Sequence, residues 1–281
     1  MSLHRIASVF YAEPWLVRLD FHRTMGSVLQ SHLKGQVLAP MTLSPVGRPS
    51  APAADIDGVH IQEGFAFLRI DGIIAKHMTQ MERMCSDGFD LARLDQSIME
   101  LTQRADVHTV VISINSPGGT ATGVAESAGL IEELGATKRT VAFVDSEACS
   151  AAYWLAAACG EIYAGATSNV GSISCYIALL DESRAYEMEG LELKLFRDGD
   201  LKGLGMPGKS LSEEESKFLQ DRVNETGGRF KDYIRARRPA VMEDTMRGQW
   251  FSGEQGITAG LVDDLFPTLP HLLAHLMTPA H

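Results

Sequence analysis

The 281-residue chain is 45% hydrophobic and 22% charged, with a formal net charge of -11, a globular composition long enough for one large core plus appendages. Its acidity repels phosphate backbones and argues against nucleic acid as a primary partner. The four Cys, at 85, 149, 159 and 175, form no Cys-x-x-Cys pair, which argues against a zinc site or a disulfide framework and for reduced, buried thiols.

The N-terminal stretch MSLHRIASVFYAEPWLVRLDFHR is broken by charge and shows no secretory leader pattern. The longest apolar run, AAYWLAAAC, is about half of the roughly 18–20 residues that a membrane span needs. These features predict a soluble, cytoplasmic protein. Residues 1–34 mix apolar and charged residues at helix-like spacing and read as an N-terminal arm. Pro40, Pro45, Pro49 and Pro52 forbid a continuous helix over 35–58, so that stretch reads as a Pro/Ala-rich linker.

The main domain is expected over 59–268, followed by a tail, 269–281. GFAFLRIDGII (64–74) has a strand pattern ending in a Gly turn, and DLARLDQSIMELTQRA (90–105) places Leu91, Leu94, Ile98 and Leu101 at helical spacing. HTVVISIN (108–115) is an almost continuous β-branched run, as a buried parallel strand requires. The turn SPGG and a helix to about Leu134 follow. TVAFVD (140–145) is a second buried strand, and a short turn then leads to a helix opened by Ser150 in DSEACSAAYWLAAACG (145–160). EIYAG (161–165) and SISCYIALL (172–180) read as extended, DESRAYEMEG (181–190) as helical and LELKLFRDG (191–199) as a strand. A long helix is predicted over 210–238, with capping-box spacing at Ser210/Glu213 and Ser212/Glu215. Strands alternating with helices specify an α/β fold with a parallel sheet.

Three places could carry chemistry. In INSPGGT (114–120), Gly118 and Gly119 permit a sharp turn whose freed N–H groups could face an anionic oxygen; an ordinary βα turn has the same composition. Ser150 could be a nucleophile at a helix N-terminus or a plain helix N-cap, with Cys149 as a rival nucleophile. The base is harder to find. None of the nine His lies between 109 and 270, which weakens a Ser–His or Cys–His pairing and leaves His60, His77 and His108 to approach from elsewhere. A neutral Lys can serve instead. Lys194, Lys202, Lys209, Lys217 and Lys231 are the downstream candidates, and Lys202 sits in a Gly-rich loop past an expected strand end, where parallel-sheet sites form. Lys217 and Lys231 lie on the long polar helix and read as solvated-face residues, Lys194 lies within an expected strand, and Lys202 taken alone reads as a solvated loop residue.

The order SPGG, a Ser in a small-residue turn before aromatics, SNVGSIS, a Gly-rich loop with Lys, and a closing GQWFSGEQGITAGLVDDLF resembles the signal peptide peptidase A family over about residues 60–268. The resemblance implies a crotonase/Clp-protease-like (ββα superhelix) fold and a Ser/Lys dyad that works without metal or cofactor. Ser150 matches the nucleophile, Lys202 the general base, Gly118 or Gly119 an oxyanion donor, with the N–H of Ser150 also in that role, and Ser172 a supporting Ser. The chain departs from the family in Ala151-Ala152 after the nucleophile, where Gly-Gly is usual, and in Ser174 of GSIS, where Gly is usual. RIASVFYAEPW (5–15) resembles the start of the phage prohead proteases of this family. That branch implies capsid, scaffold or portal proteins as substrates and assembly into homo-oligomers, often with a site completed between neighbours. The arm 1–34 and the long helix are the expected subunit contacts, and the linker is an accessible target for self-cleavage. Two other readings are a crotonase-type acyl-CoA enzyme, which needs neither Ser150 nor Lys202, and an inactive structural head protein.

Overall fold

The computed structural model describes residues 14–18, Gly26, 59–78 and 88–278. The β-branched run behaves as read: β6 (Thr109–Ser116) lies between β3 (Phe65–Asp71) and β8 (Arg139–Cys149), parallel to both. Alternate residues of these strands serve opposite faces. Val110, Ile112, Ile114, Ala142 and Val144 point into one cluster, while Val111, Val141 and Phe143 point into another, the pattern of a parallel sheet buried on both sides. β2 (His60–Gln62) extends the sheet antiparallel to β3. At the other side β8 forks. Its first half pairs with β9 (Glu161–Ala164), which in turn pairs with β12 (Asp264–Leu265). Its last residues pair with β10 (Asn169–Gly171), and β11 (Trp250–Ser252) closes that edge.

The first face is covered by α1 (Leu91–Gln103), α2 (Val124–Gly135) and α3 (Ala151–Ala158). Leu91, Leu94, Ile98 and Leu101 of α1 are all buried, as their spacing predicts. α3 is buried at every position, so its alanines allow close helix packing rather than exposure. α5 (Glu213–Arg237) crosses it: Trp154 stacks on Phe230 with ring centroids 4.6 Å apart, and Arg237 donates to the terminal carbonyls of Ala157 and Ala158. Tyr153 Oη donates to the Leu261 carbonyl at 2.9 Å. These contacts fix the axis of α3, and with it the position of Ser150 at its start.

The structure departs from the sequence reading in several places. Residues 269–277 of the expected tail form α7 (Leu269–Met277), whose Leu272 and Leu276 fill the second face of the sheet. Trp15–Val17, inside the segment read as helix-like, is a buried strand, β1; the rest of that arm and the linker lie outside the described residues. β8 continues through Asp145 to Cys149, so no turn separates it from Ser150. LELKLFRDG forms no strand. Its alternating leucines mark an amphipathic stretch, but a strand also needs a partner edge. The helix read over 181–190 does form, as α4 (Ser183–Met188), and Gly253–Thr258 forms α6. Of the two capping boxes, only Ser212/Glu215 forms.

Candidate active site

Strands β8 and β10 end side by side, with Cys149 opposite Gly171. The next residues, Ser150 and Ser172, both have positive φ, 56° and 54°. A non-glycine residue there costs on the order of 1–3 kcal/mol and persists only where its surroundings enforce it. Ser150 has φ 56° and ψ -115° between strand and helix and makes no side-chain cap to α3. The plain N-cap explanation therefore fails. Its hydroxyl donates instead to the Ser174 carbonyl at 3.4 Å. A strained strand-to-helix corner also carries the nucleophilic serine of the α/β-hydrolase fold. Here the residue itself is 1% exposed.

The SPGG segment is not a simple turn. Gly118–Thr120 forms a short strand, β7, flanked by β1 and by β4 (Ile74–Ala75), beyond which lies β5 (Phe89–Asp90). Both glycines are sterically required. Gly118 has φ 107°, and a Cβ on it would lie 2.9 Å from the Cys149 carbonyl oxygen. A Cβ on Gly119 would collide with the backbone of Ile74. Gly118 is thus pressed against the residue preceding Ser150, and its N–H donates to Ser116 Oγ at 3.2 Å. Ser172 is 7% exposed; its N–H donates to the Gln249 carbonyl and its hydroxyl to that of Gly248. The N–H of Ser150, expected as an oxyanion donor, donates to Gly171 at 2.7 Å.

Gly118, Gly119, Ser150 and Ser172 therefore gather at the C-terminal ends of parallel strands, where α/β sites form. Lys202 makes no hydrogen bond to any of them among the described residues. It is exposed, and among the described residues its ammonium makes no hydrogen bond or ion pair. Its loop is nevertheless held. Arg197 and Lys209, on either side of Lys202 in sequence, both reach Glu215, at 2.7 and 3.0 Å. The Ser212 N–H donates to the same carboxylate at 2.9 Å. Glu215 is 1% exposed, and the Ser212 N–H, then Arg197 and Lys209, lower its pKa from 4.5 to about 2. The capping-box spacing marked Glu215 as a helix start and gave no sign that it also fastens the lysine loop.

The sign of this shift gives a test. A carboxyl with a depressed folded-state pKa contributes stability above its unfolded value and loses that contribution as pH falls toward the folded value. The unfolding temperature of the wild type should therefore fall as pH drops from about 4.5 to 2. Glu215→Gln should start lower at pH 7 and show a flatter acid limb. Parallel limbs would mean that the contacts seen here contribute little.

The model of peptidase family S49 matches residues 132–274, just over half of the chain, and takes in Ser150, Ser172 and Lys202. The chain belongs to peptidase family S49. It is similar to the head-tail preconnector protein GP5 of Enterobacteria phage P21, 28% identical over 73% of this chain and 41% of that one. It is also similar to the capsid assembly protease C of Escherichia phage lambda, 25% identical over 94% of this chain and 63% of that one. The chain thus spans less than two thirds of either relative. Among solved structures it is similar to an enoyl-CoA hydratase/isomerase from Marinobacter aquaeolei, with 10% identity and a TM-score of 0.47 over 78% of this chain and 73% of that one.

The cysteines of the described residues are all buried. Cys149 is fully buried in the strand, and burial pushes the thiols of Cys159 and Cys175 up to about 12 and about 11, away from the thiolate form that reacts. Among the downstream lysines, Lys209 is paired with Glu215, Lys217 with Asp221 and Lys194 with Glu192. No helix among the described residues is long and apolar enough to cross a membrane.

Proposed function

We propose that this chain is a serine endopeptidase of phage head maturation, with Ser150 as nucleophile and Lys202 as general base. The observation that carries the reading is the corner at Ser150. A serine held at φ 56° with its hydroxyl off the helix cap, between Gly118 and Ser172, in a chain of a peptidase family, is a built feature. The two phage relatives support protein substrates of capsid assembly.

Neutral Lys202 takes the proton of Ser150, whose Oγ attacks a peptide carbonyl and forms an acyl-enzyme. Protonated Lys202 returns the proton to the leaving amine. Water, deprotonated by the same lysine, then releases the acyl group. Backbone N–H groups of the Gly118–Gly119 strand receive the oxyanion, and each such donor contributes about 3 kcal/mol. The base comes from a neighbouring copy. The segment that carries Lys202 exposes Leu180, Met188, Leu191, Phe196 and Met206, with Phe196 92% and Met188 89% exposed. Large apolar side chains in that density suit a protein interface, and docking them would bury the lysine, which favours a neutral amine.

Unfolded casein is the direct test, with fragments read by mass spectrometry. Wild type should cut it; Ser150→Ala and Lys202→Ala should not. An active Lys202→Ala would move the base elsewhere. A silent wild type that also fails to react with a fluorophosphonate, even inside co-expressed head particles, would favour a structural head protein. The family match supports neither that reading nor an acyl-CoA enzyme.

A further inference from the structure

The strand β1 lies beside the Ser150 corner, against the Gly118 that touches the Cys149 carbonyl. On one side it pairs antiparallel with β7, Leu16 opposite Gly119 and Val17 opposite Gly118. The Arg18 N–H donates to the Pro117 carbonyl at 3.0 Å, and the Ala121 N–H to that of Pro14 at 3.2 Å. Bonded pairs alternate along an antiparallel ladder, so Leu16 and Gly119 are the bonded pair between these two. On its other side β1 exchanges hydrogen bonds with Tyr176: the Trp15 N–H donates to Tyr176 at 2.8 Å, and the Tyr176 N–H to Trp15 at 3.2 Å.

Its pairing partners among the described residues lie beside the Ser150 corner. The Leu16 carbonyl is packed against Gly118, closely enough to collide with any Cβ there. Tyr176 follows by two residues the Ser174 carbonyl that holds the Ser150 hydroxyl. Arg18 forms an ion pair of 2.9 Å with Glu147, three residues before Ser150, and lies over the Trp250 ring. Trp15, Leu16 and Val17 are 3%, 0% and 3% exposed.

An extended peptide that presents its carbonyl to Ser150 needs these same two backbone edges. We infer that residues 14–18 act as an autoinhibitory strand that occupies the peptide-binding cleft, and that a substrate strand must displace them. The inference rests on the Ser150 reading. It adds that the free chain is closed by its own N-terminal strand, and that Arg18, through Glu147 and Trp250, is the latch.

Full-length chain carrying Ser150→Ala would be titrated with a fluorescein-labelled peptide of residues 12–19, AEPWLVRL, and read by anisotropy. Adding Arg18→Ala removes a partly buried charge pair and a cation–π contact, and should tighten peptide binding about tenfold. Glu147→Gln breaks the same latch without touching the strand, but it also takes the partner from the peptide's own arginine, so it should leave peptide binding near that of the Ser150→Ala chain and is read by the probe reaction instead. On the Ser150 background, either latch variant should react with a fluorophosphonate about tenfold faster than wild type, a ratio of the same origin. Peptide binding unchanged by Arg18→Ala, or no binding in any variant, would make β1 a permanent part of the fold and overturn the inference. Failure of the peptidase reading has a different signature: no fluorophosphonate reaction in any chain, whatever the peptide does.

Discussion

Ser150→Gly is expected to abolish proteolysis while raising the unfolding temperature. Both effects come from one dihedral angle. At φ 56° and ψ -115° a side-chain-bearing residue is strained, by on the order of 1–3 kcal/mol. Glycine adopts positive φ freely and removes the strain, but it gains roughly 0.5–1 kcal/mol of unfolded-chain entropy that offsets part of the benefit. The net gain is about 1 kcal/mol, or about 2–4 °C in a chain of this size. Ser150→Ala keeps the Cβ and the strain and should leave the unfolding temperature near that of the wild type. Both substitutions remove the proposed nucleophile and should reduce kcat by on the order of 10^4–10^6-fold. Ser172 is the control. It has φ 54° and also lies beside the site, so Ser172→Gly should stabilise similarly with a much smaller loss of activity. Scanning calorimetry and peptide cleavage measure the two effects separately. A lower unfolding temperature for Ser150→Gly would show that the hydroxyl and Cβ hold the corner together, and the strained serine would then be structural rather than functional.

That strain could not be read from the residue string. Nothing in EACSAA marks a positive φ, because glycine is the residue that signals one and here it is absent. Resemblance located Ser150 where local chemistry left nucleophile and N-cap open. The central sheet was easier to read, since β6 and β8 are buried on both faces and so appear as unbroken runs such as VVISI. β1 illustrates the opposite case. Three residues are too few to show a period, and the partner strand lies about a hundred residues away and is made of two glycines and a threonine. LELKLFRDG failed for a third reason. Alternation reports which side chains are apolar and not where a partner edge lies: Leu193 and Leu195 are half-buried with no strand beside them, while Leu191 and Phe196 are exposed. The clamp on the lysine loop was hidden because Arg197, Lys209 and Glu215 meet only after the chain has folded back on itself.

The exposed lysine leads to the second large effect. Ser150→Ala and Lys202→Ala chains should each be inactive alone and should regain activity when assembled together. In a ring whose sites take serine from one copy and lysine from the next, a random equal mixture gives roughly one intact site in four, so recovery of about a quarter of wild-type activity is expected. Sites contained within a single chain could not recover, because every chain would lack one member of the pair. Phe196→Glu supplies an independent check. Phe196 is 92% exposed on the segment that carries Lys202, so the charge should cost the isolated chain little stability. At an apolar contact between copies it should break association, and proteolysis should fall with it. Sedimentation and cleavage rate, measured on the same sample, decide the matter. Full activity from a monomeric Phe196→Glu chain, with no recovery in the mixture, would require Lys202 to reach Ser150 inside its own chain, through a movement of the whole loop that Glu215 now fastens. Loss of association and activity together, with recovery in the mixture, would assign the exposed leucines, methionines and phenylalanine around Lys202 to delivering the base.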